Sequence, residues 1–177
     1  MKRTLGIAAL IGFLACIVLA NHATQHWGDE AFPGGPHMVT LLGYVGPSGV
    51  LFAGLSFGLR DAAQMAFGRW PVLAVIVLGA GLSYFVAPSL ALASGVAFLL
   101  SESFDWAVYT PLAERGRYGL AVLLSNTVGS AVDTLLFLWI AFGSLAFFEG
   151  QFVLKALMVL PALLVMAPFR MRRLALA

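Results

Sequence analysis

Residues 91–142 read ALASGVAFLLSESFDWAVYTPLAERGRYGLAVLLSNTVGSAVDTLLFLWIAF. Two strongly apolar segments flank a short basic turn. Each holds carboxylates where a lipid-embedded helix should hold none: Glu102 and Asp105 in the first, Asp133 in the second. An ionised side chain in mid-membrane costs ~3 to more than 10 kcal/mol. Something in the fold must offset that cost, and a functional site is the default reading.

The rest of the chain supports the membrane reading. Of 177 residues, 61% are hydrophobic and 10% charged, with mean hydropathy +0.95. A soluble domain carries roughly 25% charged residues. The expected class is an all-α integral membrane protein, a single domain of six transmembrane helices at ~20 residues per span. No segment is left over for a soluble catalytic domain. The net charge of +2 sits mainly at segment ends, which argues topology rather than nucleic-acid binding. The single cysteine, Cys16, has no partner for an internal disulfide.

Working outward, the expected spans are 4–21, 38–59, 71–87, 89–110, 118–145 and 151–169. Lys2-Arg3, the first apolar run and Val18-Leu19-Ala20 resemble a cleavable signal peptide. The membrane character of everything downstream favours a retained first span. Residues 22–37 read as a loop with all three histidines, His22, His26 and His37, and a turn at Pro33-Gly34-Gly35-Pro36. Two histidines four apart without further ligands make a weak metal signal, so no metal and no cofactor is expected. The second span is rich in glycine, which suits close helix packing, and Gly46-Pro47-Ser48-Gly49 could break it to free backbone groups. It closes on Arg60, Asp61 and Gln64. Arg60 and Asp61 are adjacent and point to different helix faces, whereas Asp61 and Gln64 can share one. Charge at a span end is cheap, and these three are candidate gating or coupling residues. Pro111 and residues 114–117 mark the turn between the fourth and fifth spans.

With the N-terminus inside and six crossings, Lys2, Arg3, Arg60, Arg69, Arg115, Arg117, Arg170, Arg172 and Arg173 all face the cytoplasm. That count satisfies the positive-inside rule and places both termini there. Only Lys155 lies inside a span.

Glu102, Asp105, Asn126, Ser130, Asp133 and Lys155 form the candidate substrate-binding set. Glu102 and Asp105, three apart, share a face with Tyr109, and Asn126, Ser130 and Asp133 fall on one stripe. Lys155 could pair with Asp133, or snorkel outward from its position one turn into the last span. Trp106, Tyr109 or Tyr84 could stack on a flat heterocycle, and a carboxylate suits a guanine-like amidine edge. Physics alone reaches only a polar small molecule or ion. No span holds a histidine and there is no HExxH motif, so an intramembrane enzyme is disfavoured and none is expected.

Three pieces carry a resemblance: Ser101-Glu102-Ser103-Phe104-Asp105-Trp106-Ala107-Val108-Tyr109; Ser125-Asn126-Thr127-Val128-Gly129-Ser130-Ala131-Val132-Asp133-Thr134; and Phe137 with Ala141-Phe142. Arg60-Asp61 with Gln64, and Lys155 with Pro161, add to it. The chain from about residue 38 to 168 resembles the queuosine precursor transporter, or vitamin uptake transporter (VUT), family. Its form is similar to an actinobacterial or actinophage branch. Arg60 stands where many members of the family have threonine.

The resemblance implies a multi-pass transporter in the cytoplasmic (inner) membrane. Its substrates would be the deazapurine bases 7-cyano-7-deazaguanine and 7-aminomethyl-7-deazaguanine. Expected partners are that small molecule, the lipid bilayer and, as an open option, further copies in a homo-oligomer; no nucleic acid is expected. The alternative is the substrate-binding subunit of an energy-coupling-factor-type vitamin transporter. It predicts an exposed ridge of small residues, and Ala8, Gly12, Cys16 and Ala20 have that spacing.

Overall fold

The computed structural model describes residues 2–158 and residue 161. Helix α1 (Lys2–His26) leads into a small sheet of β1 (Asp29–Glu30), β2 (His37–Leu41) and β3 (Tyr44–Pro47). Helices α2 (Val50–Phe67), α3 (Arg69–Val86), α4 (Pro88–Glu114) and α5 (Tyr118–Phe142) follow. Residues 148–158 are helical and are called α6. Among the described residues, three helical segments are long and apolar enough to cross a membrane: Arg3–His26, Pro88–Leu112 and Leu123–Phe142. A shorter apolar helix covers Trp70–Val86.

The largest departure from expectation lies between α1 and α2. Helix α1 runs five residues beyond the expected 21, so His22 and His26 are on the helix. Their rings stack at 4.3 Å, and His26 Nδ1 donates to the His22 carbonyl at 2.9 Å. Residues 38–47, expected to open the second span, instead form an antiparallel meander in the order β1-β2-β3. Met38 pairs with Pro47 and Leu41 with Tyr44, which leaves a two-residue turn at Leu42 and Gly43. Both have positive φ, 54° and 84°, the conformation of a tight hairpin turn. The all-α class is corrected accordingly: the bundle carries a three-stranded sheet at one end. A short apolar run with Val39, Thr40 and Val45 fits a strand as well as a helix, and the turn decides.

Two hydroxyls fix this hairpin to the bundle. Ser48 Oγ donates to the carbonyls of Ala23 at 2.6 Å and His37 at 3.1 Å. Thr24 Oγ1 donates to the Ala20 carbonyl at 3.0 Å and accepts from Gly49 N–H at 3.2 Å. These bonds tie the last turns of α1 to the link and satisfy the N–H of Gly49, the N-cap of α2, which has no partner within its helix. Gly49 must be glycine here, because a Cβ would collide with the Ala20 carbonyl. Gly46-Pro47-Ser48-Gly49 is therefore the link from sheet to helix, not a break within a span.

Short connections make successive helices antiparallel, so the sheet, the C-terminal ends of α1, α3 and α5, and the N-terminal ends of α2, α4 and α6 share one end of the bundle. Helix α4 continues through Pro111 to Glu114, so the expected turn narrows to residues 115–117. Apolar packing of Phe13, Ala9, Ala62, Ala63, Val72 and Ile76 joins α1, α2 and α3. Helix α6 docks against α2 at Gly54. A Cβ there would lie 2.5 Å from Met158 Cβ and 2.8 Å from the Lys155 carbonyl. The hairpin abuts α6 as well, through Gly46 against Gln151.

Candidate functional site

Close docking at Gly54 places Lys155 inside the bundle. Lys155 is 1% exposed, which rules out snorkelling. Its Nζ donates to Asp133 Oδ2 at 2.5 Å and to Thr134 Oγ1 at 2.9 Å. Asp133 is 8% exposed and Thr134 is fully buried. Burying either charge alone would cost several kcal/mol, and the pairing with two hydrogen bonds offsets that cost. An ammonium has three donors, so one N–H of Lys155 remains for another group.

Lys155 and Asp133 stand on the wall of a cavity of ≈ 700 Å³, counting the part open to the outside. Every helix from α1 to α6 contributes to its lining. The wall is mainly apolar, with Phe57, Phe98 and Phe137 as its aromatic surfaces. Its other polar groups include Asn21, Ser56, Ser94 and Gln151.

A second ionic cluster lies deeper along α2. Arg60 donates through Nε at 2.9 Å and Nη2 at 2.6 Å to Asp61 Oδ1, and its Nη1 pairs with Glu102 of α4. The guanidinium also lies 5.6 Å from the centroid of Phe57. Phe57 lines the cavity and stacks with Phe98 at 6.1 Å. The aromatic pair thus stands between the cavity and the ion cluster.

This cluster corrects four expectations. Arg60 is 4% exposed, so it is an interior charge rather than a cytoplasmic flank and leaves the positive-inside count. Arg60 and Asp61 are adjacent yet paired, because the long guanidinium folds back over its neighbour. Gln64 is exposed and stands apart from the cluster. Glu102 faces Arg60 rather than the stripe that bears Asp133. Asp105 instead packs at the α4–α5 contact, where a Cβ on Gly129 would lie 3.3 Å from its own Cβ.

Of the six expected substrate-binding residues, Asp133 and Lys155 line the cavity; Glu102, Asp105, Asn126 and Ser130 do not. Tyr84 is 59% exposed and packs on Phe85, away from the cavity, and Tyr109 does not line it. The Trp106 side chain lies outside the described residues, as do positions 162–169 of the expected last span and Arg170, Arg172 and Arg173. The sequence reading missed Asn21 and Ser94, which hydrogen-bond at 2.9 Å across α1 and α4. Asn21 sits at the expected end of the first span, where polarity signals only a boundary. The histidines gather no site: among the described residues, no group of three or more His, Cys, Asp or Glu could hold a metal. His37 Nδ1 donates to the Gly28 carbonyl at 2.9 Å.

The small-residue ridge of α1 is largely used within the chain. Gly12 faces Leu59 of α2, and Cys16 and Ala20 line the cavity.

Residues 82–169 match the family described as putative vitamin uptake transporter. The matched region begins near the end of α3 and contains Ser94, Glu102, Asp133, Thr134, Gln151 and Lys155. No curated protein and no solved structure matches the chain.

Proposed function

We propose that this chain is a member of that transporter family and imports a queuosine precursor across the cytoplasmic membrane. The precursors are 7-cyano-7-deazaguanine and 7-aminomethyl-7-deazaguanine. One observation carries the transport reading: a buried Lys155–Asp133 pair on the wall of an interhelical cavity, both residues inside the transporter-family match. Intramembrane charges that pair and face a cavity mark substrate or ion pathways. The substrate name rests on the motif resemblance around Glu102 and Asp133.

In this reading the chain crosses the inner membrane six times with both termini in the cytoplasm. The sheet end then faces outward. The cavity under it receives substrate, while Arg60, Asp61 and Glu102 close the path toward the cytoplasm beneath Phe57 and Phe98. Transport requires that this lock open while the outer entrance closes. Arg60 and Asp61 act as gate residues, joined there by Glu102, and Gln64 lies on the cytoplasmic side of them. Asp105 acts at the α4–α5 contact, and Asn126 and Ser130 on α5 stand off the cavity wall rather than at the first binding position. The reading includes no enzymatic step.

Complementation tests it. A queuosine-deficient strain lacking its own importer is given the gene and each precursor, and queuosine in tRNA is measured. Restored queuosine is expected; none, with the protein demonstrably in the membrane, refutes the assignment. Asp133→Asn should abolish uptake while the protein stays extractable from the membrane, at reduced stability because Lys155 loses its counter-ion. Co-purification with ATPase subunits would instead identify the energy-coupling-factor alternative.

A further inference from the structure

Two buried amide groups on the cavity wall lack partners. Asn21 is 2% exposed; its Oδ1 accepts from Ser94 Oγ, yet its Nδ2 has no hydrogen-bond partner. Gln151 is 3% exposed, and its Oε1 likewise has none. Native proteins pair the large majority of buried polar side-chain atoms, so two orphans on one cavity call for a cause. They differ in kind: Asn21 offers a donor, Gln151 an acceptor. They also come from opposite ends of the chain, α1 and α6.

The charges of the same wall are already neutralised. Lys155 and Asp133 hold each other at 2.5 Å, and Arg60 is engaged by Asp61 and Glu102 on the far side of Phe57. A charged ligand would have to break the Lys155–Asp133 pair or remain unpaired in an apolar cavity. The rest of the surface is mainly apolar, and the rings of Phe57, Phe98 and Phe137 on it suit a flat ligand.

We propose that Asn21 and Gln151 are specificity-determining residues that hydrogen-bond an uncharged, planar ligand. The ligand presents an acceptor to Asn21 Nδ2 and a donor to Gln151 Oε1. The proposal rests on the transport reading for its biological ligand, but the two orphan groups are defined without it. Of the two precursors, the nitrile is neutral, whereas a primary aminomethyl group is protonated at pH 7. The site therefore selects the nitrile.

The test uses the full chain in lipid nanodiscs, with direct binding of each precursor and thermal unfolding of the ligand-free protein. Gln151→Met keeps side-chain length and removes the orphan acceptor. Asn21→Leu combined with Ser94→Ala removes the orphan donor without stranding the serine. Each change should weaken nitrile binding about tenfold or more. Each should leave the ligand-free melting temperature unchanged or raised, because an unsatisfied buried group is removed. The nitrile should bind at least about tenfold tighter than the aminomethyl compound, by the cost of an unpaired charge.

Variants that bind the nitrile like the parent protein overturn the inference and leave the transport reading intact. Equal or tighter binding of the aminomethyl compound overturns its neutral-ligand part. If the parent protein binds neither precursor, the substrate assignment fails, and the melting temperatures still decide the inference: a fall in both variants makes the amides structural.

Discussion

Replacing Lys155 by methionine keeps the length of the side chain and removes its charge. The structure sets the penalty. Asp133, 8% exposed, would lose its counter-ion, and fully buried Thr134 would lose its donor. Breaking a buried ion pair from one side costs ~3–5 kcal/mol, because the remaining charge is left unsolvated. That corresponds to a roughly 10²- to 10⁴-fold shift in the folded-to-unfolded ratio. For a chain of this size it lowers the melting temperature by about 6–20 °C. The assay is thermal unfolding of purified protein in one fixed detergent, followed by intrinsic fluorescence. The companion variant, Lys155→Met with Asp133→Leu, removes both charges and should recover most of the loss, since a well-packed apolar pair replaces a buried ion pair at little or no cost. A loss under ~1 kcal/mol in the single variant would refute the pairing. So would a double variant as unstable as the single, because coupled residues must deviate from additivity.

Three further outcomes follow from other parts of the fold. Arg60→Lys keeps the charge but cannot serve Asp61 through two nitrogens and Glu102 through a third, so uptake should fall severalfold, and the initial rate of radiolabelled precursor entry checks it. Gly54→Val inserts atoms where α6 meets α2 and should destabilise by ~1–3 kcal/mol while reducing uptake, measured by thermal unfolding and transport on the same preparation. Leu42→Asn relieves a non-glycine residue at φ 54° in an exposed turn and should raise stability by ~1 kcal/mol, seen as a higher melting temperature with unchanged uptake.

Much of the helical order was legible in the sequence, because α1, α3, α4 and α5 are apolar runs of span length with Gly or Pro between them. The Asp133–Lys155 pair was legible too, since a lone lysine and a mid-span aspartate in a short membrane chain have few other partners. The Arg60–Glu102 contact was not, and its cause is the hairpin. Once residues 38–47 form strands, α2 starts at Val50, and Arg60 moves from beyond the helix end to a point seven residues short of it. A single misread turn at Leu42-Gly43 thus turned an interior charge into an interfacial one. Asn21 escaped for a related reason: α1 continues to His26, so a residue that looked like a boundary lies inside the bundle.

The two buried ion pairs also bear on how the chain is made. Arg60 emerges from the ribosome 42 residues before Glu102, and Asp133 22 residues before Lys155. Arg60 has Asp61 beside it from the start, whereas Asp133 reaches the bilayer before the lysine that neutralises it. The translocon tolerates a lone aspartate near a helix centre at about 2.5–3.5 kcal/mol, and α5 must meet that cost from its own leucines or wait. Helix α6 thus acts as the closing half of an insertion pair with α5, joined by residues 143–147. A chain halted at residue 147 should leave α5 poorly inserted, which glycosylation mapping in microsomes reads directly; complete insertion of that truncated chain would show that α5 enters unaided. Lys155 is thereby a checkpoint: only a chain translated past α5 and into α6 can hold the cavity wall together.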